Sequence, residues 1–255
     1  MTNSLEVAVF SMASALAAES QGAGRVEFNA PGSYAAGGTT PPLDLFCSLS
    51  SQLSLPIRVM IRPRGPPEDG TPDFLYSIDE FDIMKGCVQK FLESGKMNLA
   101  RGDGFVFGIL EQGANGTLRV DVERCSQLTK LAQPYPCVFH RAYDPIACSS
   151  EWSAGLSDLG AAGFRGLLTS GGVGNMRDNL SRLGEIAASS PPDFQLVAGG
   201  GLRAESFGSE ISELVALYGS SLWLHTAALA KDASGRPTED VDSIELKALL
   251  TKMRV

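Results

Sequence analysis

Leu5-Glu6-Val7-Ala8-Val9-Phe10, followed at once by Ser11-Met12-Ala13-Ser14 and a small-residue run to residue 22, decides between two architectures. The first six residues read as a strand covered on both faces, which is the mark of a parallel sheet lying under helices. An open dinucleotide-binding sheet would place a Gly-rich turn directly after that strand, and Ser11-Met12-Ala13-Ser14 stands there instead. Further along, short apolar or β-branched runs recur at 25–28, 57–62, 105–110, 137–140, 165–169, 194–198 and 222–226. Helix candidates alternate with them at 12–22, 43–53, 78–94, 121–132, 149–162, 175–188, 203–219 and 241–253, with Asp79 and Asp121 at or beside helix starts. Eight strands and eight helices in alternation predict an α/β chain closed as a (β/α)8 TIM-type barrel, the open doubly wound sheet being the alternative. No Gly/Ser-rich linker divides the chain, so residues 1–255 are expected to form a single domain.

Composition agrees. With 44% apolar and 20% charged residues the chain can fill a large core, and surface scaling expects about 70% of the unfolded area to be buried. Intrinsic disorder is excluded. The net charge of -8, with 21 Lys plus Arg and no cluster of basic residues, argues against nucleic acid as a partner. Residues 8–18 superficially mimic a secretion signal, but Glu6 occupies the place of its positive flank. No apolar run approaches the roughly 20 residues of a membrane span, so a cytoplasmic setting and no membrane partner are expected. Five cysteines (Cys47, Cys87, Cys125, Cys137, Cys148) form no CxxC pair and read as free thiols in a reducing compartment.

Strand parity then sorts the charges. Glu6 shares a face with Ala8 and Phe10, Glu27 with Arg25 and Asn29, and Arg58 with Met60 and Arg62. Glu6, Glu27, Arg58 and Arg62 are therefore expected to point into the lumen, where charge must be paired or bound to a ligand. Glu6 and Arg58 lie low in their strands and suit a structural network. Glu27 and Arg62 lie nearer the carboxyl ends, where barrel active sites gather. Asp103 and Glu111 flank the fourth strand without an obvious partner.

The strand ends supply further candidates. Arg62-Pro63-Arg64 offers two guanidinium forks suited to carboxylate or phosphate oxygens. His140 ends the fifth strand as a general acid or base, with Asp144 close enough in sequence to orient it and Glu27 as a further partner. Thr169-Ser170-Gly171-Gly172 and Gly199-Gly200-Gly201 end the next two strands as turns able to cradle an anion, and His225 stands beside them. The loop from Arg64 to Thr71, rich in Pro, Gly and acid, is expected to project as a lid or ornament. Metal-ligand spacings are missing: there is no HExxH, no Cys cluster, and the chain has 2 histidines in all. No GxSxG elbow supports a serine triad.

The pieces Gly24-Arg25-Val26-Glu27, Gly37-Gly38-Thr39-Thr40-Pro41, Val59-Met60-Ile61-Arg62-Pro63-Arg64-Gly65, Asp73-Phe74-Leu75-Tyr76-Ser77, Phe105-Val106-Phe107-Gly108, Phe139-His140-Arg141-Ala142-Tyr143-Asp144, Leu168-Thr169-Ser170-Gly171 and Gly199-Gly200-Gly201, in this order, resemble the CutC copper-homeostasis family. The resemblance implies a TIM-type barrel, a cytoplasmic location (also nuclear in a eukaryote), a homo-oligomer (dimer or tetramer), and copper handling through Cu(I) binding. Family cysteines on the first strand and at the end of the second correspond here to Ala8 and Asn29, and Cu(I) prefers soft sulfur ligands. His225-Thr226-Ala227 matches the family stretch in part, the segment after the eighth strand reads as shortened, and 66–72 reads as an insertion. Beside copper homeostasis stands a second reading from the residues themselves. It is a barrel enzyme acting on a small phosphate- or carboxylate-bearing ligand, with Arg62, Arg64 and Gly199–Gly201 holding the anion and His140 as general acid/base.

Overall fold

Eight strands close into a barrel in the order β1 (Leu5–Val9), β2 (Arg25–Phe28), β3 (Ile57–Met60), β4 (Gly104–Phe107), β7 (Cys137–Phe139), β8 (Gly166–Thr169), β9 (Gln195–Gly199) and β10 (Leu222–Thr226). Every neighbouring pair is parallel, and β10 returns to β1 with Leu5 opposite Leu224 and Glu6 opposite His225. The structure is a computed structural model and describes residues 4–113 and 115–253. The gaps in the strand numbering are two hairpins outside the barrel, β5 (Leu110–Gln112) with β6 (Leu118–Val120), and β11 (Leu229–Lys231) with β12 (Pro237–Val241).

Helices α1 (Met12–Gln21), α2 (Leu43–Ser50), α3 (Ile78–Glu93), α4 (Val122–Ala132), α5 (Asp144–Ala147), α6 (Trp152–Ala161), α7 (Leu180–Ser189), α8 (Ser209–Tyr218) and α9 (Ser243–Lys252) clothe the outside. Their starts follow local chemistry. The Ser11 hydroxyl accepts from the Ser14 amide, Ser77 and Glu80 form a reciprocal capping box, and Asp121 and Asp242 accept from the first turns of α4 and α9. Asp79 is thus a first-turn residue, and Ser77 is the cap.

Two apolar layers result. The larger one fills the space between sheet and helices, with Val7, Val26, Val59, Phe105, Leu167 and Leu196 fully buried in it. The smaller one lies inside the barrel, where Met60, Val106, Val138, Leu168 and Val197 pack with Trp223. The lumen is therefore divided: apolar side chains from the end of β3 round to Trp223 of β10, and charged or titratable ones on β1, β2, the start of β3 and at His225 of β10.

Several expectations need correcting. The fourth strand ends at Phe107 rather than at residue 110, because Leu110 pairs with Val120 in the β5–β6 hairpin. Asp103 has partners: it accepts from the Ile57 and Asn98 amides and pairs with Arg101 at 2.7 Å. Glu111 pairs with Arg119 at 2.8 Å across that hairpin. Helix α8 starts at Ser209 rather than near 203, since residues 203–206 form a turn and Gly208 caps it. Beyond the eighth strand the chain builds the β11–β12 hairpin, whose Glu239 accepts from the Gly32 and Tyr34 amides and so ties it to the loop after β2. No described helix is long and apolar enough to cross a membrane.

Candidate functional site

At the carboxyl ends of the strands lies a cavity of about 570 Å³. Its floor is the buried charge network foreseen from parity, with different pairing. Glu6 bonds to Arg25 on the adjacent strand, not to Arg58, and Arg25 also donates to Gln195 and stacks over Trp223 at 4.1 Å. Arg58 donates instead to the Gly102 carbonyl at 2.6 Å, and burial pushes its guanidinium down to about 10. Burial opposes ionisation of Glu6, but the Arg25 guanidinium and the His225 hydrogen bond overcome it and hold the carboxyl at about 2.

Above the floor, Glu27, Asn29, Arg62, His140 and His225 all line the cavity. Barrel closure brings His225 Nδ1 within 2.8 Å of Glu6 Oε1. Burial alone would lower the His225 pKa, but that hydrogen bond and the nearby Glu27 charge raise it. Burial raises Glu27 against the pull of His225. Asn29 donates to Glu27 Oε1 at 3.1 Å, while Glu27 Oε2 is buried with no hydrogen-bond partner. Gly38 is required for this arrangement: at φ +86 a Cβ there would lie 2.2 Å from Asn29 Oδ1.

The roles expected of four groups change with their contacts. His140 is bonded neither to Glu27 nor to Asp144. Its Nδ1 accepts from the Ala142 amide at 3.2 Å, its ring lies against Phe74 at 4.7 Å, and Nε2 has no partner. Burial and then the Arg62 charge push its pKa down to about 3, so it is a neutral imidazole rather than a general acid for neutral pH. Asp144 accepts from Thr169 Oγ1, the Ser170 amide, Ser170 Oγ and Arg141 Nε at 2.6–2.9 Å. Thr169 and Ser170 are fully buried in that network and do not line the cavity. Arg64 turns away to Glu80, the Leu75 carbonyl and Asp73, which removes it from the mouth. Arg62 lines the mouth, but its fork is filled by the Ala36 and Gly38 carbonyls and by Asp73 at 2.7 Å, so it clamps two loops rather than presenting a free fork.

Of the glycine turn, Gly200 and Gly201 line the cavity and Gly199 does not. Both lining glycines have positive φ (+114 and +72), and a Cβ on Gly201 would lie 2.3 Å from Asn175 Oδ1. Of the 64–71 loop, Pro66 alone lines the cavity. The cations that sequence reasoning missed are Arg141 and Arg203. Arg141 is half exposed and bonded to Asp144; Arg203 donates to the Leu229 carbonyl and has no carboxylate partner among the described residues. An arginine two places after the glycine run was the available signal for Arg203. Phe74 (φ 67) and Ala228 (φ 43), the non-glycine residues with positive φ among those described, both line the cavity. Such strain collects at functional sites.

The buried neutral His140 gives a pH signature. Its folded pKa lies below the ordinary 6.5, so the unfolded chain binds the proton first, and the stability this contributes is present above 6.5 and lost as pH falls toward 3. Stability should fall by up to about 1.4 kcal/mol per pH unit below 6.5 from this group. Urea melts at pH 7 and 5 should show that loss shrinking in His140→Gln. An equal loss in both proteins would contradict it.

Copper would need soft donors here. No cysteine lines the cavity, and Met60 supplies its one sulfur among the described residues. Cys125 and Cys137 are buried elsewhere, and burial pushes both thiols up, Cys137 to about 12. Ala8 and Asn29 stand in the wall without sulfur. The mouth does not fit a thiolate Cu(I) centre.

A closed parallel barrel with a charged cavity at the carboxyl ends of its strands defines a TIM-barrel protein. The CutC family profile matches residues 3–227, and the chain belongs to that family. It is 33% identical over 198 residues to the mouse "Copper homeostasis protein cutC homolog" and 32% identical over 198 residues to the human one, covering 78% of this chain in each case. Those matches span 65% of the mouse and human proteins, just under two thirds of their length. The Drosophila melanogaster homolog is 32% identical over 225 residues, 88% of this chain and 77% of that protein. Among solved structures, CutC from Streptococcus agalactiae superposes with a TM-score of 0.70 at 24% identity over 89% of this chain and 99% of that one. A deoxyribose phosphate aldolase from Aeropyrum pernix superposes at 0.57 with 15% identity, covering 89% and 86%, a likeness of fold alone.

Proposed function

We propose that this chain serves copper homeostasis, as its relatives are named for, through a barrel mouth that binds a small phosphate- or carboxylate-bearing molecule rather than through a Cu(I) thiolate centre. The observation that carries this reading is Arg203. It lines the cavity beside the Gly200–Gly201 turn with no carboxylate partner among the described residues, and Arg141 and His225 line the same cavity. Barrels commonly bind anions beside their last two strands. The other mouth arginines are matched internally, Arg62 by Asp73 and Arg141 by Asp144. Arg203 is the cation left over for a ligand. The positive φ at Phe74 and Ala228 supports a site whose backbone is held for binding. His140, expected as general acid/base, serves instead as a neutral hydrogen-bonding wall.

Calorimetric titration of the full chain with inorganic phosphate and with a small dicarboxylate tests this. At least one should bind, and Arg203→Gln should weaken it by about tenfold or more, the loss of one charge-assisted hydrogen bond. Binding of neither, or binding indifferent to Arg203→Gln, removes the anion reading. A Cu(I) chelator competition tests the other half: the chain should leave the chelator's copper in place. Stoichiometric capture of Cu(I) would overturn it.

A further inference from the structure

We propose that Glu6, Glu27 and His225 form a binding site for a divalent transition-metal cation at the base of the mouth. Each residue offers one donor atom, and the three atoms lie within 4.8 Å of one another. They come from β1, β2 and β10, which barrel closure makes adjacent.

The second observation is Glu27 itself. The residue is 4% exposed, its Oε1 accepts from Asn29, and its Oε2 is buried without any partner. Buried polar atoms are ordinarily satisfied, so an orphaned carboxylate oxygen calls for an explanation. Oε2 presents essentially no surface to water, so a hydroxyl or amide ligand cannot approach it without moving side chains. A bare cation bonds at about 2.0–2.2 Å and needs a smaller hole. The remaining contacts resemble the supports that orient metal ligands: Arg25 fixes Glu6 and Asn29 fixes Glu27. The cation would replace the proton shared by His225 Nδ1 and Glu6 Oε1, which stand 2.8 Å apart.

Two carboxylates and one imidazole are hard-to-borderline donors. They suit Mn²⁺, Zn²⁺ or Cu²⁺ and not Cu(I), with Cu²⁺ expected to bind most tightly of the three. Glu27 and His225 also line the cavity, so the cation would sit at its base.

The test uses Mn²⁺ first, because thiolates discriminate against it and the free cysteines then contribute little. Chelator-treated full-length chain is titrated with MnCl₂ alone and followed by electron paramagnetic resonance of the unbound ion, then with ZnCl₂ by calorimetry. One equivalent of each should bind, and Glu27→Gln, which keeps the side chain's shape, should weaken binding about tenfold or more. Circular dichroism confirms the variant's fold. Should it fail to fold, His225→Gln is read in its place. No uptake at one equivalent, or uptake unchanged in the variant that folds, overturns the proposal. Phosphate binding without any metal uptake would sink this inference and leave the anion reading standing.

Discussion

Arg25→Met is expected to melt roughly 6–20 °C below the parent chain, from a loss of about 3–5 kcal/mol. Arg25 and Glu6 are both nearly inaccessible, at 2% and 1% exposed. Glu6 keeps its charge largely because of the guanidinium beside it. Removing the guanidinium leaves a buried carboxylate with His225 as its remaining partner, and also removes the Arg25 contacts to Gln195 and Trp223. A charge stranded in this way is far more damaging than the loss of a surface pair. Replacing both partners, Glu6→Gln with Arg25→Met, should recover part of the loss, since no charge is then stranded. Differential scanning calorimetry of the three proteins decides it. A single variant melting within a degree or two of the parent would show that the floor of the lumen is wetter than its burial indicates.

Asp144→Ala is expected to lose about 3–5 kcal/mol as well, by a different route. This carboxylate collects the Thr169 hydroxyl, the Ser170 amide and hydroxyl, and Arg141 Nε. Alanine leaves the Thr169 hydroxyl, the Ser170 amide and Arg141 Nε without this acceptor, while the Ser170 hydroxyl keeps the Gly172 carbonyl at 2.6 Å, and the desolvation of the orphaned donors goes unreturned. Asp144→Asn keeps an acceptor oxygen and should lose less. Arg141 is matched by Asp144 and Arg203 is the cation assigned to the ligand, so phosphate binding by the folded alanine variant should not weaken. Denaturant melts alongside phosphate titrations check both expectations. Unchanged stability in Asp144→Ala would mean that the 169–174 turn is held by its backbone alone.

The barrel could be read from the chain because its signals are local. The uniformly apolar runs, the missing Gly-rich turn at Ser11–Ser14 and the alternating parity that put Glu6, Glu27 and Arg58 inward each depend on a few neighbouring residues. The exceptions are also local. Leu110 looks like a strand continuation, but it pairs with residues 118–120, and no pattern within 105–110 announces that partner.

The site was harder to read. Glu27, Arg62, His140 and His225 line one cavity, and strand parity and strand ends are what put them there. Their partners were not legible in that way. His140 and Asp144 are four places apart, yet the turn between them directs Asp144 toward β8 and His140 toward Phe74. Arg62 and Arg64 look equivalent in sequence, but one lies against the mouth and the other against Glu80 of α3.

By itself the sequence determined that strands and helices alternate, which faces of the strands carry charge, and which family the chain joins. Periodicity and caps act over a few residues and need no knowledge of distant ones. The tertiary structure decided which charge meets which. Closing β10 onto β1 sets His225 beside Glu6 across 219 positions of chain. Burial then fixes the consequence, since a carboxylate or imidazole removed from water takes its protonation state from whichever neighbour the closed barrel supplies.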